Sequence, residues 1–115
     1  MKTGFKENES MVRQGPANLQ RGIETVGGKI YLTNLRIIFE PHFFNFQSKI
    51  SIIELSDIKD LNYCRTKFLG IIPLTDNSLS VETVKGKDYR FVLWNREQWA
   101  SEIKQKASQF SNNEK

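Results

Sequence analysis

Gly27-Gly28-Lys29-Ile30-Tyr31-Leu32-Thr33-Asn34-Leu35-Arg36-Ile37-Ile38-Phe39 sets a glycine pair before two runs of alternating apolar residues. A glycine pair accepts the positive φ that a tight hairpin needs, so Gly27-Gly28 predicts a turn. Ile30 and Leu32 alternate with Lys29, Tyr31 and Thr33, the period of a half-buried strand. Thr33-Asn34 breaks that period, because short polar side chains compete for local backbone groups. It restarts with Leu35, Ile37 and Phe39 on one face and Arg36, Ile38 and Glu40 on the other. Pro41 ends it by withholding a ladder donor. Two short strands of an antiparallel meander are the expected outcome.

The same stretch resembles a known family. Gly28, Tyr31, Leu32, Thr33, Arg36 and Phe39 stand in the order that the GRAM domain shows, a small module of the pleckstrin-homology-like superfold. The resemblance runs over roughly residues 10–107. It implies a mainly β architecture, a strongly bent antiparallel barrel of about seven strands capped by one C-terminal α-helix. It also implies a lipid-binding or protein-binding module that is not an enzyme through this domain alone.

Composition sets the bounds. The 115 residues give room for one domain and one core, and about two-thirds of the unfolded chain's surface can be buried without a metal or a disulfide. Seventeen Lys and Arg against 13 Asp and Glu leave a net charge of +4, scattered among acids where a DNA binder would carry a dense basic stripe. Cys64 is the single cysteine, which excludes an intrachain disulfide and fits a reducing compartment. No early apolar run has the length of a signal peptide, and Gly70 and Pro73 break the most apolar stretch, Phe68 to Leu74. The expectation is a cytoplasmic protein whose membrane contact is peripheral.

Residues 1–10 are polar and without period and read as a disordered arm, followed by a single domain over 11–110 and a polar tail over 111–115. Ala17 to Val26 is a ragged strand that Gly27-Gly28 turns into a hairpin with the central pair. In Lys49 to Leu55, Ile50 and Ile52 fall in one phase and Ile53 and Leu55 in the other, which predicts a bulge at a sheet corner. Ser56-Asp57 is a turn, and Ile58, Leu61 and Tyr63 lead through a further strand to Cys64. Leu79, Val81 and Thr83, then the turn Lys85-Gly86-Lys87, then Tyr89, Phe91 and Leu93 form the clearest hairpin. Asn95 reads as a helix cap answered by Gln98, with Trp94 and Trp99 spaced as a hydrophobic staple. Trp99, Ile103, Ala107 and Phe110 continue one apolar stripe.

The chemical inventory is thin. His42 is the only histidine and stands beside Pro41, Cys64 has no neighbouring base, and no spacing resembles a zinc site. Gly27-Gly28 opens a strand where a phosphate-cradling loop must open a helix. Neither a catalytic residue, a metal nor a cofactor is expected, so the chain reads as a binding or targeting module.

Two binding modes compete. In phosphoinositide-binding domains of this superfold, the loops after the first, third and sixth strands gather at one end of the barrel. On this chain the resemblance carries that site to Lys29, then Phe43, Phe44 and Lys49, then Lys85 and Lys87. The alternative uses for these residues are aromatic packing at Phe44 and plain solvation at the hairpin tip. The first loop, read as only Gly-Gly, lacks the spaced basic residues of a stereospecific head-group pocket. Four lysines at about 1 kcal/mol each give roughly 4 kcal/mol on an anionic surface, around millimolar, and one buried Phe adds on the order of 2 kcal/mol. The result is weak, salt-sensitive association with anionic lipid. The second mode is a protein or peptide interaction, through a strand edge or through Phe68, Leu69 and Ile71, including self-association. The competing role for that apolar loop is to plug the barrel. Nucleic acid is not an expected partner, because its stacking platform needs outward aromatics interleaved with Lys and Arg.

Overall fold

Antiparallel strands make up the larger part of the regular structure. The computed structural model describes all residues except 22–23, 44–48, 65–66, 69–71, 74–77 and 114–115. Strands β1 (Met11–Arg21), β2 (Glu24–Thr33), β3 (Arg36–Pro41) and β4 (Ser51–Glu54) form a meander. A 3-10 turn at Leu55–Asp57 leads to β5 (Ile58–Cys64), and a short hairpin, β6 (Lys67–Phe68) and β7 (Ile72–Pro73), follows. β8 (Ser78–Thr83), β9 (Asp88–Leu93) and helix α1 (Arg96–Asn113) complete the chain. Seven strands make one antiparallel sheet in the order β4-β3-β2-β1-β9-β8-β5, and β6 pairs with β7 separately. The sheet wraps a single core that includes Leu19, Ile30, Leu32, Ile37, Phe39, Leu79, Val81 and Phe91. Phe39 and Phe91 meet at 6.1 Å between ring centroids.

The glycine pair is not the first turn. β1 and β2 pair continuously from Arg21↔Glu24 to Gly15↔Ile30, so Gly27 and Gly28 lie inside β2 opposite Asn18 and Ala17. The connection falls at 21–24. What Gly28 supplies is closeness: a Cβ there would run into the Glu40 carbonyl oxygen and stand 2.8 Å from Phe39 Cζ and Pro41 Cα. By contrast Gly86, at φ 84, is the turn glycine of the β8–β9 hairpin, as its sequence predicts.

The predicted bulge in the fourth strand is absent. β4 pairs with β3 in regular register, with Ile53 and Leu55 buried while Ile50 and Ile52 point outward. Plain alternation accounts for both phases. A register shift does occur in β5, between Ile58 and Asp60.

Residues 1–10, which composition leaves without order, make specific contacts along the outer face of β2 and β3. Glu9 receives two bonds from the Arg36 guanidinium, at 2.8 and 2.9 Å, and one from the Thr33 hydroxyl at 2.6 Å. Its side chain is fully buried and that of Arg36 nearly so. Arg36 also donates to the Gly4 carbonyl, and Asn34 bonds Asn8 and Ser10. Further along, Glu40 accepts from the Lys2 and Thr3 amides and the Thr3 hydroxyl. The arm shows no hydrophobic period because its order comes from these polar pairs.

The helix stripe packs as expected: Trp99 and Ile103 are buried, and Ala107 and Phe110 pack against the core. Arg13 on β1 pairs with Glu102 at 2.8 and 2.9 Å and lies 5.6 Å from the Trp99 ring, which ties the helix to the sheet. The staple does not form. Asn95 adopts a left-handed φ of 58, and its carbonyl accepts the first helical bond from Trp99 N–H. That turn leaves Trp94 78% exposed. Trp94 keeps the outward phase of Arg90 and Val92, opposite to Phe91 and Leu93.

Burial pushes the Glu9 carboxyl up, but bonds from Arg36, Thr33 and the Lys6 amide, with the Arg36 charge, outweigh it and hold it at about 2 against an ordinary 4.5. A depressed carboxylate adds stability that is whole above the unfolded value and lost as pH falls through the folded one. Glu9 alone therefore contributes on the order of 3 kcal/mol that disappears between about pH 4.5 and about pH 2. Glu40 acts in the same direction, since the Thr3 and Lys2 bonds overcome its burial, and so does Glu102 beside Arg13. Urea midpoints measured down this window should fall steeply for the native chain and less steeply for Glu9→Gln; identical slopes would contradict the buried pair. In the same assay Trp99→Ala should cost about 3–5 kcal/mol and Trp94→Ala no more than about 0.5 kcal/mol, whereas equal costs would restore the staple.

Candidate functional site

Two connections and one strand end meet at a cleft of about 550 Å³. Lys49 closes the β3–β4 connection and Lys87 opens β9 from the hairpin turn, and both line the cleft. Ile50, just ahead of β4, and Ile52 within it add an exposed apolar wall, 36% and 43% accessible. Tyr89 forms the opposite wall, with Lys87 Nζ 5.0 Å from its ring centroid. Asp88 is the one acid among the lining residues, so the charge of the cleft is positive on balance.

The floor contains a residue that the sequence reading missed. Gln20, next to Leu19 on β1, has a buried side-chain oxygen that accepts no hydrogen bond among the described residues. Buried acceptors are almost always paired, so this oxygen carries a desolvation cost that nothing among the described residues offsets. No motif marks it, since a glutamine in the polar phase of a strand reads as an ordinary surface residue.

The remaining expected lipid-site residues divide. Lys85 stands at the hairpin tip, highly exposed and 3.9 Å from Asp57. Phe43 is 81% exposed and begins the connection that Lys49 ends. Phe44 lies outside the described residues. Lys29 is not with the others: it sits in β2 and lines a different recess with Tyr31, Glu40 and His42. The cause is the shifted hairpin, because the loop after β1 is at 21–24 and not at the glycine pair. Of the expected protein-contact residues, Leu69 and Ile71 lie outside the described residues, as does the side chain of Phe68, whose backbone belongs to β6.

Among the described residues no three His, Cys, Asp or Glu side chains come together as a metal site, and no helix is long and apolar enough to cross a membrane.

A seven-stranded antiparallel sheet bent round one core and closed by a C-terminal helix defines the class of pleckstrin-homology-like modules. The GRAM domain family model matches residues 1–113, and the chain belongs to that family. No curated protein matches the sequence. Among solved structures it is similar to the C-terminal domain of an unknown protein from Leishmania infantum, with a TM-score of 0.72 and 16% identity over 88% of this chain and 86% of that one. It is also similar to the Vps36 N-terminal PH domain, with a TM-score of 0.69 and 18% identity over 94% and 86% of the two chains. The N-terminal PH domain of human ARAP2 gives a TM-score of 0.57 and 19% identity over 96% and 89%. At these identities the likeness is one of fold. GRAM and pleckstrin-homology-like domains are typically lipid- or protein-interaction modules.

An unpaired buried acceptor is a cost of about 1–3 kcal/mol that an apolar isostere avoids. Gln20→Leu should therefore leave the urea midpoint unchanged or raise it; a clear loss of stability would mean that the carboxamide has a structural partner.

Proposed function

We propose that this domain is a peripheral targeting module that meets anionic lipid surfaces with the loop ends around Lys49, Lys85 and Lys87. The observation that carries this reading is the convergence of Lys49 and Lys87, from two separate connections, on one cleft walled by the exposed Ile50 and Ile52. A head-group phosphate would take the two ammonium groups. Phe43, on the same connection as Lys49, would enter the acyl boundary.

The magnitudes describe a weak anchor. Three lysines at about 1 kcal/mol each give roughly 3 kcal/mol, weaker than millimolar. Burying Phe43 adds on the order of 2 kcal/mol, which brings the sum to a few tenths of millimolar. Such a module acts through avidity or beside a second anchor.

Liposome co-sedimentation tests this directly. The chain should pellet with anionic vesicles and stay in solution with neutral ones, and added salt should release it. Lys49→Ala with Lys87→Ala should lower affinity about thirtyfold and the corresponding double change to Glu more, while Lys29→Glu, in its separate recess, should change it little. Equal binding to neutral vesicles, or a double variant that binds like the native chain, would refute the proposal.

A further inference from the structure

The Lys49–Lys87 cleft has apolar lining that a charged head group leaves unused. Leu19 is buried at its floor, and the half-buried Tyr89 forms one wall. Ile50 and Ile52 form the other, and neither belongs to the core or to the side chains packed against it. β4 is an outer strand of the sheet, so no strand of that sheet flanks them on the far side. The charges in the lining are Lys49 and Lys87 against Asp88, which leaves one net positive charge. A polyphosphorylated head group would find too few cations here and, in Asp88, a repelling carboxylate. An apolar surface beside a few placed charges, in a cleft of about 550 Å³, has the character and size of a small-molecule site.

We propose that the cleft binds a single-chain amphiphile with one anionic head, as a monomer. This rests on the reading of the same cleft as the anionic-lipid site and names the molecule it takes there. The head pairs with Lys49 and Lys87, and the chain lies against Leu19, Ile50, Ile52 and Tyr89. One net positive charge matches one anion and selects against a cationic amphiphile. Covering Ile50 and Ile52 removes apolar surface from water, so the chain adds affinity that a bare head group lacks. Each methylene that leaves water for the cleft gains about two- to fourfold, until the apolar lining is filled. Phe43 is not part of that lining, so burying a lipid chain in the protein and burying Phe43 in a bilayer are separable events.

The test titrates the isotope-labelled full chain with straight-chain alkanoates from butanoate to dodecanoate, each below its micelle concentration, following backbone amide signals. Affinity should climb about two- to fourfold per methylene and then level off, with shifts at Leu19, Lys49 to Ile52 and Lys87 to Tyr89. Decyltrimethylammonium, a chain of the same length with a cationic head, should shift none of them. Decyl phosphate separates the two sources of such a molecule: tighter binding than decanoate assigns a phospholipid fragment, weaker binding a free fatty acid. Ile50→Ser with Ile52→Ser, at exposed positions, should cost decanoate about tenfold or more while the unbound spectrum stays dispersed. Phe43→Ser should bind decanoate as the native chain does and pellet less with anionic vesicles. Equal affinity for butanoate and decanoate, an equal response to the cationic chain, shifts centred outside the cleft, or native decanoate binding by the double isoleucine variant would each overturn the proposal. Anionic vesicles that still pellet the native chain in that event would leave the surface reading standing, whereas loss of both would remove the two together.

Discussion

The buried pair between Glu9 and Arg36 governs how the sheet is covered. Arg36, Ile38 and Glu40 face away from the main core, yet all three are buried. A strand that is apolar on one face and charged on the other would ordinarily leave the charged face in water. Here residues 1–10 lie over it, and the two charges are desolvated together. Such a pair has little margin, because removing either partner strands a charge with no solvent to receive it. Thr33, the Lys6 amide and the Gly4 carbonyl occupy the remaining hydrogen-bonding capacity. The central strands thus behave as interior strands on both faces, and the exposed ends and outer strands of the sheet are left for binding.

Gly28 sets the second constraint. Its missing side chain lets β2 run close to β3 at Phe39, Glu40 and Pro41, and so β1 and β2 continue as a long ribbon past the glycine pair. The connection at 21–24 is carried to the far end of that ribbon, and Lys29 is left on the strand. The Lys49–Lys87 cleft, with Gln20 at its floor, forms near the end of β1, while Lys29 lines a recess beside the arm.

These two constraints mark where the sequence was legible. The β8–β9 hairpin, the β2–β3 alternation and the stripe Trp99, Ile103, Ala107 and Phe110 were readable because period and burial coincide there. The arm was not, because ion pairs between residues far apart in sequence leave no periodic trace. Gly27-Gly28 was misread for a general reason: glycine marks both a turn and a close backbone approach, and only the contact with Phe39 and Pro41 distinguishes them. Trp94 and Trp99 had staple spacing, but the left-handed turn at Asn95 sends Trp94 outward. At the candidate site, Lys49 came from the loops that the resemblance assigns, and Lys87 from the basic hairpin turn in which it falls. Gln20 was not, since its value lies in an unsatisfied atom that no motif encodes.

In the proposed function one cleft, at the end of β1 and between the β3–β4 and β8–β9 connections, meets the anionic surface. The most direct measurement is amide resonance broadening of the labelled chain on adding anionic lipid nanodiscs, because it maps contact residue by residue without any substitution. The account predicts loss of signal at Lys49 to Ile52 and Lys85 to Tyr89, with Gln20 affected and Lys29 and Tyr31 unchanged. Broadening centred on Lys2, Lys29 and His42 instead would put the membrane on the face beside the arm and contradict it.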